Sequence, residues 1–221
     1  MTRKSLPFYS LRVKLFEPIK RGIDIFSSLF LLIIFSPILI IIAILIKITS
    51  PGPIIFKQLR VGKNCLFYMY KFRSMRIGDN DKFLKDNYPE LWKKYKANDW
   101  KLSTKEDPRV TSIGKFIRAT SIDEMPQFLN VLKGEMSLVG PRAYRDEELK
   151  EYANKYPNTR KYIKIIRSAK PGITGPWQVS GRNELSFKER ARLDAQYIIN
   201  RSLADELLII LKTPLAMISP W

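Results

Sequence analysis

Two adjacent carboxylates stand at a predicted helix start in Thr120-Ser121-Ile122-Asp123-Glu124-Met125-Pro126-Gln127. Pro126 is at home in a first helical turn. Ser121 and Glu124 have capping-box spacing and Asp123 is itself a good N-cap, so a structural reading stands beside a catalytic one. Elimination bears on the choice. The 221-residue chain has no histidine and a single cysteine, Cys65. Ser-His and Cys-His nucleophilic pairs, histidine metal ligands, cysteine zinc sites and an internal disulfide are all excluded. An ionised carboxylate is the nucleophile that needs no base. Helix N-terminal N–H groups would lower its pKa and attract phosphate. Lys115 and Arg118 lie just upstream, and Arg142 follows in Val139-Gly140-Pro141-Arg142, all able to neutralise phosphate.

Three further groups invite chemistry. Lys71 and Arg73, two apart on a predicted strand, share a face that suits one diphosphate or simply faces solvent. Gly172-Ile173-Thr174-Gly175, followed by Gly181-Arg182-Asn183, matches neither a dinucleotide-binding nor a P-loop pattern. Its glycines fit close backbone approach to a ligand or a tight structural loop. Asp79-Asn80-Asp81 is an Asp-x-Asp triplet that suits a divalent cation and a nucleotide diphosphate, or an ordinary polar loop. With 39 Lys+Arg against 21 Asp+Glu, the net charge of +18 calls for a polyanionic partner: nucleic acid, an anionic bilayer or a phosphorylated substrate. A hydrophobic content of 45% and an aromatic content of 12% exclude a disordered basic tail.

These groups need a scaffold, and its first part is apolar. Ile25–Ile46 runs 22 residues without a charge, enough to span a bilayer. Pro37 divides it into halves of about 15 to 18 Å at 1.5 Å per residue, each too short to cross alone. Arg3, Lys4, Arg12, Lys14, Lys20 and Arg21 precede it; Lys47, Lys57, Arg60, Lys63, Lys71, Arg73 and Arg76 follow, with no acid between Lys47 and Asp79. Positive flanks on both sides favour a cytoplasmic location for both. A re-entrant helix broken at Ser36-Pro37 satisfies that preference, with Ser36 bonding backbone groups freed at the break. A kinked spanning helix is the alternative.

Beyond Ser50-Pro51-Gly52-Pro53, a turn signal, the spacing predicts a hairpin from Ile54–Val61 and Leu66–Arg73. A polar, aromatic helix-and-loop segment follows over Asp79–Lys105, a candidate lid. Helices are predicted over Met125–Lys133, within Asp146–Ser168 with an interruption at Pro157, and over Phe187–Asn200 and Leu203–Lys212. The face of Leu207, Leu208, Ile210 and Leu211, followed by Met217 and Trp221, suits either a membrane interface or a core. The segments divide as 1–21 (basic), 22–49 (membrane helix) and 50–221 (catalytic).

In order and spacing the chain resembles the bacterial sugar transferase family, the monotopic phosphoglycosyl transferases that start glycan assembly. The carrying residues are Lys20-Arg21-Gly22-Ile23-Asp24, Ser36-Pro37, Ser50-Pro51-Gly52-Pro53, Tyr70-Lys71-Phe72-Arg73-Ser74-Met75, Asp107-Pro108-Arg109, Asp123-Glu124-Met125-Pro126-Gln127, Gly134-Glu135-Met136-Ser137-Leu138-Val139-Gly140-Pro141-Arg142 and Lys170-Pro171-Gly172-Ile173-Thr174-Gly175. The resemblance implies a mixed α/β, mostly α monotopic membrane protein, its helix-rich catalytic domain on the cytoplasmic face of the bacterial inner membrane. It implies transfer of a sugar 1-phosphate from a UDP-sugar to undecaprenyl phosphate, with Mg²⁺. Asp123 would be the nucleophile and a metal ligand, forming an aspartyl-phosphosugar and releasing UMP, and Glu124 would assist. Lys71, Arg73, Arg118, Arg142 and Arg182 are the candidate phosphate-binding residues. Partners would be the UDP-sugar, undecaprenyl phosphate and the bilayer, with homo-oligomers left open and no nucleic acid. Two departures stand out: the family's Gly-Pro-Arg-Pro reads Gly140-Pro141-Arg142-Ala143, and its Gly-Trp-Ala-Gln-Val reads Gly175-Pro176-Trp177-Gln178-Val179, closer to the hexose-phosphate branch. Competing readings are a membrane-tethered nucleic-acid binder and a metal-dependent glycosyltransferase using Asp79 and Asp81.

Overall fold

The structure, a computed structural model, describes residues 7–98, 102–181 and 185–218. The chain forms two compact units that alternate along the sequence: residues through Ile33 with Gln58–Met69 and Gln127–Ile218, and Ile34–Lys57 with Tyr70–Pro126. Helix α1 (Pro7–Thr49) and a β-hairpin, β1 (Ile55–Val61) and β2 (Leu66–Phe72), contribute to both. The hairpin lies where the alternation and turn signals put it. Asn64 takes the left-handed conformation at its turn (φ 58°), and the Gly62 N–H donates to the Cys65 carbonyl at 2.8 Å.

The expected interruption of α1 at Ser36-Pro37 is absent from the backbone: the helix is continuous over its 43 residues. Proline removes one intrahelical donor and crowds one carbonyl, which bends a helix without ending it when strong helix formers continue on both sides. The 34-residue stretch Phe16–Thr49 is long and apolar enough to cross a membrane, and Phe26, Ile33, Ile40 and Ile48 project outward, exposed.

In the second unit, Ile42 and Ile46 of α1 pack with Phe72 and Ile117, joined by Ile54, Ile113 and Ile122. Burying each such side chain contributes about 1.5–3 kcal/mol. This cluster underlies α4 (Ser112–Ala119) and the 3-10 turn Ile122–Glu124. The polar segment is ordered as α2 (Asn80–Asn87) and α3 (Pro89–Ala97). Arg109 anchors it. Its guanidinium makes a two-pronged pair with Asp107 (Nε–Oδ1 and Nη2–Oδ2, both 2.8 Å), reaches Asp81 at 3.1 Å and lies 4.4 Å over the Tyr95 ring. Trp100 falls outside the described residues.

The first unit holds α5 (Gln127–Lys133), α6 (Asp146–Lys155), α7 (Arg160–Arg167), α8 (Pro176–Val179), α9 (Phe187–Asn200) and α10 (Leu203–Ile218). The Asp146–Ser168 stretch breaks at Pro157, as read from the sequence. Helix α10 extends beyond Lys212, with Pro214 inside it. Its Leu207, Leu208, Leu211 and Leu215 are exposed while Glu206 and Ile209 are buried. Met217 and Trp221 lie beyond the described side chains. Tyr152 stacks on Phe187 at 3.7 Å between centroids, with Leu149, Ile163, Ile166 and Ala191 completing the core.

A second, parallel sheet was not legible as strands: β3 (Ser137–Val139) pairs with β4 (Gly172–Thr174) in the register Ser137↔Gly172 and Val139↔Thr174. It joins the two glycine-containing motifs. A Cβ on Gly140 would lie 2.6 Å from both the Gly172 nitrogen and the Lys170 carbonyl, so only glycine permits this approach. Lys20-Arg21-x-x-Asp24 ties α1 to the same unit. Asp24 accepts from Ser137 Oγ (2.7 Å) and the Leu138 N–H (3.0 Å). Lys20 pairs with Glu206 and donates to the Val139 carbonyl, while Arg21 donates to the Val131 and Leu132 carbonyls that end α5.

Candidate active site

The site is built on the second unit. Thr111 caps α4 by accepting the Gly114 N–H at 3.0 Å. A Cβ on Gly114 would collide with the Ser74 carbonyl, so α4 can lie directly on the chain leaving β2. Arg118, in the last turn of α4, donates from Nε to Ser74 Oγ at 2.8 Å. The chain then reverses through Ser121, a non-glycine residue in the left-handed region (φ 56°, ψ 15°) with no side-chain capping bond. Such a conformation costs of order 1–3 kcal/mol and persists where packing enforces it. Here it presents Asp123 and Glu124 on a 3-10 turn. The capping-box reading of Ser121 and Glu124 is therefore corrected, and so is the placement of the dyad in the first turn of a helix. Ser121, in the left-handed region, makes no side-chain cap to the 3-10 turn that carries the dyad, and helix α5 starts only at Gln127.

The two carboxylates differ sharply. Asp123 is 7% exposed, and burial pushes its carboxyl up to about 6, opposed by the Lys71 ammonium, reinforced by Glu124 and opposed again by Arg118. Glu124 is half-exposed and its Oε1 accepts from Lys71 Nζ at 2.6 Å. Burial also lowers the Arg118 guanidinium's pKa, with the Asp123 charge acting the other way. The turn thus gathers Asp123, Glu124, Lys71 and Arg118 around one buried carboxylate with two cations in its field. A buried carboxylate of raised pKa beside specific charge partners is the pattern expected of a reacting group.

Arg73 departs from its expected role. It follows β2, is buried, and donates through Nη1 and Nη2 to the Pro51 and Ser50 carbonyls, both at 2.6 Å. Its guanidinium is spent on the Ser50–Pro53 turn, where Gly52 has φ +107° and a Cβ would meet Arg73 Nη1. The Lys71/Arg73 pair is therefore split: Lys71 bonds Glu124, and Arg73 clamps the Ser50–Pro53 turn. Arg73→Ala is expected to cost about 1–3 kcal/mol of stability by orphaning two carbonyls. Urea unfolding will show that loss, and the folded fraction will keep substrate affinity.

Arg142 belongs to the first unit. Its N–H donates to Asp194 Oδ2 at 3.0 Å and its guanidinium lies 4.9 Å from the Trp177 ring centroid. Arg190 and Asp194, one turn apart on α9, were not singled out from the sequence; inward-facing charges at i,i+4 are the signal that was there to be read. Burial pushes the Asp194 carboxyl up to about 7, against the pull of the Arg142 N–H and charge. Arg142 Nε, Arg190 Nε and Nη1, Trp177 Nε1 and Asp194 Oδ1 are buried without a described hydrogen-bond partner. Arg182 lies outside the described residues.

The donor chemistry suits magnesium. Among the described residues no three His, Cys, Asp or Glu side chains gather, but Mg²⁺ usually takes one or two carboxylates and completes its shell with phosphate and water. Asp123 and Glu124 supply such oxygens. The alternative Asp79/Asp81 pair is otherwise engaged: Asp79 caps α2 by accepting the Asp81 and Lys82 N–H groups, and Asp81 pairs with Arg109.

The sequence matches the bacterial sugar transferase family over residues 15–220. It is 43% identical over 205 residues to an undecaprenyl-phosphate galactose phosphotransferase of Salmonella typhimurium, covering 88% of this chain and 39% of that protein. It is 37% identical over 198 residues to the exopolysaccharide production protein ExoY of Rhizobium meliloti, covering 88% and 83%. A UDP-glucose:undecaprenyl-phosphate glucose-1-phosphate transferase of Escherichia coli is 36% identical over 201 residues, covering 88% and 39%. The chain therefore spans about two-fifths of the first and third relatives and most of the second. Since the family match runs over nearly the whole chain, the chain belongs to the bacterial sugar transferase family.

Proposed function

We propose that the protein transfers a sugar 1-phosphate from a UDP-sugar to undecaprenyl phosphate, the first membrane step in assembling a bacterial surface polysaccharide. The activities named for its relatives support the reaction class. The observation that carries it is the buried Asp123 carboxylate held between the Lys71 and Arg118 charges. In the first displacement an Asp123 oxygen forms a bond to the sugar-bearing phosphorus, the bond to the bridging oxygen breaks, and UMP leaves. In the second, a phosphate oxygen of undecaprenyl phosphate attacks the same phosphorus and the carboxylate departs. Lys71 and Arg118 offset the charge that gathers on the phosphoryl oxygens, where fixed cations in a partly desolvated site act strongly. Glu124 holds the Lys71 ammonium in place. Mg²⁺ held by Asp123 and Glu124 would neutralise diphosphate charge.

Enzyme given UDP-sugar without lipid acceptor will release UMP up to one equivalent and gain the mass of a sugar phosphate. UMP release that strictly requires the lipid overturns the covalent route, and UDP release overturns phosphoglycosyl transfer altogether.

The basic flanks of Ile25–Ile46 favour both its ends on the cytoplasmic face of the inner membrane. That placement would require α1, a continuous helix in the structure, to turn back at Pro37 in the bilayer, and the exposed leucines of α10 would lie in the interface. A Thr2→Cys variant lacking Cys65 is expected to resist labelling by an impermeant maleimide added outside intact cells. Robust labelling establishes a spanning helix.

A further inference from the structure

A pocket in the first unit, remote in sequence from the dyad, carries more positive charge than its neighbours compensate. Lys20, Arg21, Lys63, Lys170 and Arg201 line it, against Glu17 and Asp24. Both acids are committed. Glu17 pairs with Arg201, and Asp24 accepts from Ser137 and Leu138. Lys20 is matched by Glu206. Arg21, Lys63 and Lys170 are left without a paired carboxylate, and Asp24, 3.9 Å from Lys20, offsets only part of their charge. Arg21 spends two donors on the α5 carbonyls, which are neutral. Neither Lys63 nor Lys170 makes a hydrogen bond or ion pair with a described residue.

The geometry brings the uncompensated groups together. Gly134, at φ +82° just past α5, has no Cβ, and the place one would occupy lies 3.6 Å from both Arg21 Nη2 and Lys170 Nζ. One tetrahedral oxyanion can accept from both cations, as charge-assisted bonds favour. Lys170 records the crowding: burial lowers its pKa, and the Arg21 charge lowers it further, with Asp24 only partly offsetting. Cations near the ends of α5 and α7 would serve as ordinary C-terminal charges. That role asks for one donor at each helix end, however, and leaves Lys63 and Lys170 unbonded.

The pocket's place on α1 indicates the source of the anion. Arg21 lies one helical turn before Ile25, where the charge-free run starts, and the level just outside an embedded apolar helix is the headgroup level. We propose that Arg21, Lys63 and Lys170 form a phosphate-binding site, sharing no residue with the catalytic turn, that takes the phosphate of an anionic membrane lipid. The lipid origin rests on Ile25–Ile46 lying in the bilayer; the phosphate chemistry does not.

Thermal unfolding of the full chain separates the two sources. In detergent micelles, inorganic phosphate is titrated against chloride at constant ionic strength. In nanodiscs, phosphatidylcholine is compared with phosphatidylcholine containing phosphatidylglycerol. The test variant is Lys63→Ala/Lys170→Ala, whose side chains make no internal bonds, so folding is retained. The control is Lys161→Ala/Lys188→Ala, which removes the same charge from exposed positions of α7 and α9. Phosphatidylglycerol is expected to raise the midpoint of wild type and of the control, and the test variant to lose that rise, with about tenfold weaker retention of the lipid in native mass spectrometry. A rise with inorganic phosphate but none with phosphatidylglycerol, lost in the test variant, supports the phosphate site and assigns it a soluble ligand. No rise with either probe, or equal losses in test and control variants, overturns the site.

Discussion

Asp123→Asn is expected to abolish turnover, by about 10⁴-fold or more, while raising the stability of the fold. The two halves of that result have one cause. Asp123 is 7% exposed and its carboxyl is pushed up to about 6, chiefly by burial. Its folded-state pKa therefore lies above the ordinary value of 3.8. Between those pH values the native state holds the proton more tightly than the unfolded chain, so stability falls as pH rises, and above pH 6 the buried charge carries its full cost. An amide of the same shape removes the charge, and the expected gain at neutral pH is about 1–2 kcal/mol. The same amide cannot attack phosphorus. A helix cap would behave otherwise, since Asn caps about as well as Asp and would leave both activity and stability nearly unchanged. Urea unfolding and the UMP burst, measured on the same preparation, distinguish the cases. An active Asp123→Asn enzyme ends the nucleophile assignment. Glu124→Gln is expected to be severe but less complete, because its carboxylate steadies Lys71 and would lend the metal an oxygen but does not attack phosphorus.

How much of this could be read from the chain depended on the range of the interaction. The hairpin, the break at Pro157 and the bounds of α9 were legible because local chemistry decides them: turn residues, a proline, and a Ser186–Glu189 capping box that the structure forms in both directions. Ser121 and Glu124 have the same spacing and make no such box. The difference is tertiary, since Ser121 is held in the left-handed region by a chain reversal that no local pattern announces. Pro37 failed as a breaker for the converse reason: one lost hydrogen bond does not outweigh the rest of a long apolar helix. The strands β3 and β4 span three residues each and are defined only by each other. The glycines of the Gly172–Gly175 loop were visible as fitting a close approach to ligand or a tight loop, but their packing against Gly140 was not. Lys71 and Arg73 were indistinguishable as a pair because alternation fixes the face and not the partner. The carbonyls of Ser50 and Pro51 claimed one, and Glu124 the other.

Lys71→Met is expected to lower kcat/KM by about 10²–10³-fold with little change in unfolding midpoint. The ion pair it breaks is partly solvated, its side chains being 25% and 33% exposed, and such pairs contribute up to about 1 kcal/mol to stability. The catalytic loss has two separable sources. Lys71 is the largest charge opposing the burial-driven rise in the Asp123 pKa, so its removal leaves more of the nucleophile protonated at neutral pH. It also removes a cation from the phosphoryl oxygens. The first effect moves the acid limb of the UMP-burst profile towards higher pH and is recovered by raising the pH. The second is not recovered. Combining the change with Glu124→Gln tells whether the lysine acts beyond its partner. If Lys71 serves only to hold Glu124, the double variant is no worse than Glu124→Gln alone. If the ammonium also meets phosphate, the double variant loses a further order of magnitude or so, the worth of one charge-assisted contact. Wild-type kcat/KM in Lys71→Met would remove the lysine from the site and leave Arg118 as the one cation of the catalytic turn facing Asp123.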